Sequence, residues 1–87
     1  MKTQPSENIT WKNLGSSMVL LNLSDSTYYV LNETAALAFR GVLDGRTDQE
    51  IAESFVEEYG CSADQAIADI GETFDYLLRE GLLKAAD

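Results

Sequence analysis

The chain has 87 residues and a formal net charge of -9, with 15 acidic residues against six basic ones. That length is one domain's worth, and a domain of this size buries only about 60–65% of the surface its unfolded chain exposes, leaving little room for a deep enclosed active site. The charge disfavours nucleic acid and anionic membranes, which are held mainly by Lys and Arg, and no apolar run approaches the ~20 residues of a membrane helix.

Residues Met1 to Asn8 are polar and carry the only proline, so they read as a mobile tail. Nothing there resembles the apolar stretch of a signal peptide, and a cytoplasmic location is the expectation. Residues 9–87 read as a single domain. Ile9-Thr10-Trp11 is a short candidate strand. Met18 to Leu23 is an apolar run of strand length, Ser24-Asp25-Ser26 is a cluster of turn formers, and Thr27-Tyr28-Tyr29-Val30-Leu31 is β-branched and aromatic. Together they predict a β-hairpin. Strand alternation puts Tyr29 and Leu31 on one face and Tyr28 and Val30 on the other.

Three helices follow. Asn32 is an N-cap for the first, which runs to Leu43 and stops at Gly45. Thr47-Asp48-Gln49-Glu50 opens the second as a capping box, in which the Thr hydroxyl and the Glu carboxylate each satisfy an orphan N–H. Ile51, Ala52, Phe55 and Tyr59 then recur at helical spacing, and Gly60 ends the run. Ser62-Ala63-Asp64-Gln65 reads as a second box. The third helix carries an apolar face of Ala63, Ile67, Ile70, Phe74, Leu77 and Leu78, ends at Gly81, and returns Leu82-Leu83 to the core. Strands followed by helices predict an α+β domain.

The chemistry-bearing residues are few. There is no histidine, which removes the commonest general base and metal ligand together. Cys61 is the only cysteine, so it forms no internal disulfide, and it reads as structural and half-buried. No Gly-rich phosphate loop and no Asx-Gly calcium loop occurs. Asp64 suits the first turn of a helix, where the dipole favours negative charge. No cofactor and no metal are expected.

Two features point to binding. An open strand edge at Tyr28-Tyr29 offers unpaired N–H and C=O groups to an incoming strand. Ala66, Asp69, Thr73, Tyr76 and Glu80 form a stripe along the third helix beside its core face. Tyr76 and Leu77 can wall a shallow groove shared with the edge strand. An ordinary solvated helix face and plain strand-forming tyrosines account for the same residues.

Several pieces carry a family resemblance when taken in order. They are the hairpin ending Tyr28-Tyr29-Val30-Leu31-Asn32, then Leu43-Asp44-Gly45-Arg46-Thr47, then Glu50-Ile51-Ala52, then the region of Tyr59, then Asp69-Ile70, and finally Leu77-Leu78-Arg79-Glu80-Gly81-Leu82-Leu83. From Met18 to Leu83 the chain resembles the PqqD-like family, the RiPP recognition elements that bind leader peptides of ribosomally made precursors. No single tripeptide is specific; the order and spacing carry the likeness. Leu31-Asn32 departs from the Pro-Glu step of the quinone-pathway branch and looks more like stand-alone members of lasso-peptide pathways.

The resemblance implies a winged-helix-like α+β fold with an N-terminal three-stranded antiparallel sheet packed on three helices. It also implies a non-catalytic domain that captures a leader peptide as an added strand. The residues it implicates are Thr27, Tyr28, Tyr29 and Val30 on the strand, and Asp69, Thr73, Tyr76 and Leu77 on the third helix. The partners it implies are the precursor peptide and a modifying enzyme such as a radical-SAM protein or a leader peptidase. A winged-helix regulator, a small enzyme and a generic interaction domain that pairs weakly with itself are the competing readings.

Overall fold

The computed structural model describes residues 2–86. The element order is β1 (Thr3–Pro5), β2 (Ile9–Leu14), β3 (Ser17–Asn22), β4 (Thr27–Leu31), α1 (Glu33–Leu43), α2 (Asp48–Tyr59), α3 (Ala63–Arg79) and β5 (Leu83–Ala85). β2, β3 and β4 form an antiparallel sheet in that order, and β1 pairs with β5 in a separate two-stranded ladder. The fold is mixed α+β, with the three-stranded sheet and three helices as expected.

The sheet is amphipathic because its period is two. Met18 and Leu20 of β3 and Leu31 of β4 are buried against the helices. Trp11 stands over the Phe39 ring of α1 in an edge-on contact, with centroids 5.7 Å apart. Arg40 clamps the β2–β3 hairpin to the last turn of α1. Its Nε donates to Asn13 Oδ1 at 3.0 Å, and its Nη2 donates to the carbonyls of Gly15 and Ser17 at 2.8 and 3.1 Å.

The helix ends follow the local chemistry. Asn32 Oδ1 accepts from Ala35 N–H at 2.9 Å. Thr47 and Glu50 form the full capping box, and the Thr47 N–H bonded to its carboxylate holds Glu50 below the usual range. The second box forms by half. Ser62 Oγ accepts from Gln65 N–H, but the Gln65 amide donates along the helix to Asp69 Oδ1 at 2.9 Å. At the end of α3, Gly81 turns left-handed with φ 75°. Gly81 N–H then donates to the Leu78 carbonyl and Leu82 N–H to the Leu77 carbonyl. This paired closure directs Leu82 back into the core, where both Leu77 and Leu82 are fully buried.

Two expectations need correction. The segment 1–8 is not a free tail over its described part: Thr3, Gln4 and Pro5 pair with Ala85, Lys84 and Leu83. Ser6 N–H donates to the Leu82 carbonyl, Lys84 Nζ meets Glu7 Oε1 at 3.1 Å, and Thr3 is 6% exposed. A ladder partner some eighty residues away gives no local signal. Met1 and Asp87, the outer ends of the two predicted segments, lie outside the described residues. The core face of α3 is also rotated from the expected one. Ala66, Ile70, Phe74 and Leu77 are buried, whereas Ala63 is exposed and Ile67 is 63% exposed.

α1 and α2 approach closely at Gly41, where an added Cβ would lie 2.5 Å from Ile51 Cγ1. Ile51 is 1% exposed, and its buried side chain would have to shift to admit the added methyl. Gly41→Ala should therefore destabilise the fold by about 1 kcal/mol or more, the overpacking penalty exceeding the gain in helix propensity. Urea denaturation checks this, and a stabilised variant would contradict it.

Leu77 has no exposed surface. Leu77→Ala should cost about 2–5 kcal/mol of stability through the cavity it leaves, also read by urea denaturation.

Tyr59 extends the α1–α2 contact. Its ring packs on Phe55 at 4.6 Å and its hydroxyl donates to Glu33 Oε1 at 2.9 Å. Burial, then the Glu33 carboxylate, push its pKa up to about 12. The folded chain thus holds this proton more tightly than the unfolded chain, which releases it near pH 10. The stabilisation is complete below about pH 10 and is lost as pH rises towards about 12. Melting temperatures across that window should fall less steeply for Tyr59→Phe than for the natural chain; parallel declines would contradict the assignment.

Candidate functional site

The sheet's last strand, β4, has a partner on one side only, because β3 pairs it and the sheet order ends there. Its free edge runs along residues 27–31. An edge strand presents unpaired main-chain groups at every second residue. α3 packs on α1, α2 and β5, so α1 spaces α3 away from β4. The space between them is an open groove of about 480 Å³. Its walls are Val30, Leu31 and Asn32 at the end of β4, Thr34 and Ala35 in the first turn of α1, and Asp69, Glu72, Thr73 and Tyr76 on α3.

Four of the eight residues singled out in the sequence meet in this groove: Val30, Asp69, Thr73 and Tyr76. The other four lie elsewhere. Thr27 is exposed at the start of the strand. Tyr28 is 68% exposed on the outer face of the sheet. Tyr29 is half-buried and packs on the core; burial first, then the charges of Glu80 and Asp25, raise its hydroxyl pKa. Leu77 lies wholly in the core and offers the groove no surface. Its period along α3 falls with Ala66, Ile70 and Phe74, not with Tyr76.

Three polar residues of the groove, Asn32, Asp69 and Thr73, are engaged in local hydrogen bonds. Thr73 Oγ1 donates to the Asp69 carbonyl at 2.9 Å, so its proton is used within the helix. Asp69 Oδ1 accepts from Gln65, and Asn32 Oδ1 caps α1. Among the described residues, no group of three or more His, Cys, Asp or Glu side chains is placed to hold a metal ion. Among them also, no helix is long and apolar enough to cross a membrane.

Sequence reasoning missed Leu31, Asn32, Thr34, Ala35 and Glu72 as groove residues. Glu72 had a signal, since it stands one helical turn from both Asp69 and Tyr76. Thr34 and Ala35 had none, because only the crossing of α1 under the strand end brings them there.

Two further concavities differ in kind. One, of about 290 Å³ between α1 and α2, contains Arg40, Arg46, Glu33 and Tyr59. Their side chains already bond one another's neighbourhoods: Arg40 to the hairpin, Arg46 Nη1 to Ser54 Oγ at 2.7 Å, and Tyr59 to Glu33. The other, of about 470 Å³ between α2 and α3, is lined by Ala52, Ile67, Ile70, Gly71 and Phe74. It is walled by helices alone and has no open backbone edge. Of these three concavities among the described residues, the β4–α3 groove is the one that joins a cleft to the open edge of β4.

Solved structures share this architecture over almost its whole length. "TbiB1 in Complex with the TbiA(beta) Leader Peptide" superposes with a TM-score of 0.89 at 20% identity, covering 97% of this chain and 98% of that one. "Lasso peptide synthetase B1 complexed with the leader peptide" gives 0.87 at 27% identity, covering 97% and 99%. No curated protein matches the chain in sequence. The model of the family described as Coenzyme PQQ synthesis protein D (PqqD) matches residues 17–83. That match runs from β3 through all three helices to the start of β5, and the chain belongs to the PqqD family.

Proposed function

We propose that this protein is a non-catalytic recognition element that captures the leader segment of a ribosomally made precursor peptide and presents it to a separate modifying enzyme. The observation that carries the reading is the groove in which the free edge of β4 faces α3. An extended peptide entering there hydrogen-bonds the edge as a fourth strand and places alternate side chains between β4 and α3. The edge is five residues long, about 17 Å at strand rise, so the strand-forming part of the leader is about five residues. Its inward side chains meet Thr73, Tyr76 and Ala35; its outward ones lie beside Tyr28 and Val30. A solved relative of 27% identity and full-length overlap is described as complexed with a leader peptide, which supports the same role here.

The chemistry of the chain fits a binder. It has no histidine, and the Asp69 carboxylate of the groove accepts from Gln65 within α3. The modifying enzyme is a radical-SAM protein or a leader peptidase, and the cytoplasm, where precursor peptides are made, is the place of action. The strand contribution makes binding depend on main-chain amides, and Tyr76 contributes the largest side chain of the cleft.

A labelled leader peptide from the precursor encoded beside this chain should bind at micromolar concentration or tighter. Tyr76→Ala should weaken it at least tenfold, in keeping with about 1.4 kcal/mol or more for an aromatic wall residue. Methylating alternate peptide nitrogens in the five-residue segment should do the same, whereas methylating the intervening ones should matter less. No saturable binding by the natural chain sinks the proposal.

A further inference from the structure

We infer that the cleft between α2 and α3 is a second docking site, which takes a basic amphipathic helix of a partner protein. It is separate from the leader groove, and a failure of leader binding would leave it standing.

The cleft, of about 470 Å³, lies on the far flank of α3. Ile67, Gly71 and Asp75 recur there at every fourth residue, whereas Asp69, Thr73 and Tyr76 face the leader groove. Ala52 of α2 and Ile70 and Phe74 of α3 also line the cleft, and all three are buried. Ile67 on the same wall is 63% exposed. An apolar cleft continued by an exposed isoleucine differs from a single scattered apolar residue, which would need no explanation.

Gly71 is an independent sign of a close neighbour. Glycine is the poorest helix former after proline, yet Gly71 sits in the middle of the 17-residue α3 and takes no left-handed φ. Gly41, in α1, is required from within, because a Cβ there would strike Ile51. A Cβ on Gly71 would meet nothing within 4 Å, so nothing among the described residues requires its lack of a side chain. Bare backbone at the wall of a cleft admits the close approach of another helix.

The lining selects the form and the charge of the occupant. The cleft is walled by helices and offers no strand edge. An incoming segment must therefore satisfy its own main-chain N–H and C=O groups, as a helix does. α2 has 12 residues, about 18 Å, so the occupant makes contact over about three turns. Charge then sets its flanks. α2 and α3 carry nine of the chain's 15 acidic residues and one of its six basic ones, Arg79. Asp48 and Asp75 line the cleft itself, and Arg79 does not. A helix with an apolar seam between Lys and Arg flanks is complementary to that surface. A second copy of this chain brings another net charge of -9 instead.

The test uses the full chain and two labelled synthetic helices of about three turns, stapled because so short a helix is marginal alone. Both carry a leucine seam, flanked by Lys and Arg in one and by Glu in the other. Fluorescence anisotropy should show saturable one-to-one binding of the basic helix at micromolar concentration and none of the acidic one. Ile67→Lys should weaken the basic helix about tenfold or more, with leader affinity unchanged within about twofold. Leu23→Lys makes the same change of charge outside the cleft, at a residue 59% exposed, and should weaken the helix by less than about twofold. Gly71→Ala should raise the urea midpoint, because its methyl enters open space within a helix, and yet weaken the basic helix about fivefold or more. A Gly71→Ala chain less stable than the natural one would mean that an internal contact requires the glycine, and overturns the inference. Equal losses from Ile67→Lys and Leu23→Lys would reduce the binding to overall charge and do the same. So would no binding by the natural chain, or displacement of the helix by a leader peptide, which would put the peptide in this cleft. A natural-chain dimer that Ile67→Lys dissolves in sedimentation equilibrium would put a second copy there, and also overturns it.

Discussion

The structure depends on the burial of α1 between two layers. One side of this helix meets the sheet, the other meets α2 and α3, and its flank touches β1. Ala36, Ala38 and Phe39 have no exposed surface. Small residues let the neighbouring elements approach, and Phe39 fills the space beneath Trp11. In a chain of this size a single shared core must serve every element, and α1 is where the contributions converge. Gly41 takes the same logic to its limit, since Ile51 occupies the space a side chain would need.

The groove is a consequence of that arrangement. Because α1 lies between α3 and the sheet, α3 cannot close on β4, and the edge of β4 stays unpaired. The polar first turn of α1, with Asn32 as its cap, forms the end wall. A fold of this kind usually protects an exposed edge with charge, proline or a covering element. β4 has none of these along Thr27–Leu31, and Val30 and Tyr28 stand largely exposed beside it. Retaining such an edge carries an aggregation risk, which a bound strand removes. The acidity of the rest of the chain offsets the same risk by keeping copies apart.

The two ends of the described chain are tied by a short ladder that locks the return of α3. Gly81 turns the chain, Leu82 and Leu83 enter the core, and β5 then pairs with β1. This fixes the C-terminal end of α3, and with it the placement of Tyr76 one turn before the cap. The position of the groove's largest side chain is therefore set partly by residues at the far end of the sequence.

The sequence by itself determined the local features: the hairpin, the three helix starts, the stops at Gly45, Gly60 and Gly81, and the two faces of β4. Each rests on chemistry within a few residues, such as Asn32 bonding Ala35 or Thr47 bonding Glu50. The same local signals, in order, were enough to carry the family resemblance and so to single out eight residues, of which Val30, Asp69, Thr73 and Tyr76 line the groove. Tertiary structure alone decided the rest. Ala66 went to the core and Ile67 to solvent because the rotation of α3 is set by its packing on α1 and α2, and the apolar spacing of the helix admits either face. Thr34 and Ala35 joined the groove because of where two helices cross. Thr3 to Pro5 became a strand because a partner at Leu83 to Ala85 was brought alongside. Periodicity and capping act over a few residues, whereas a helix's rotation and a ladder's partner are settled by contacts between segments far apart in the chain.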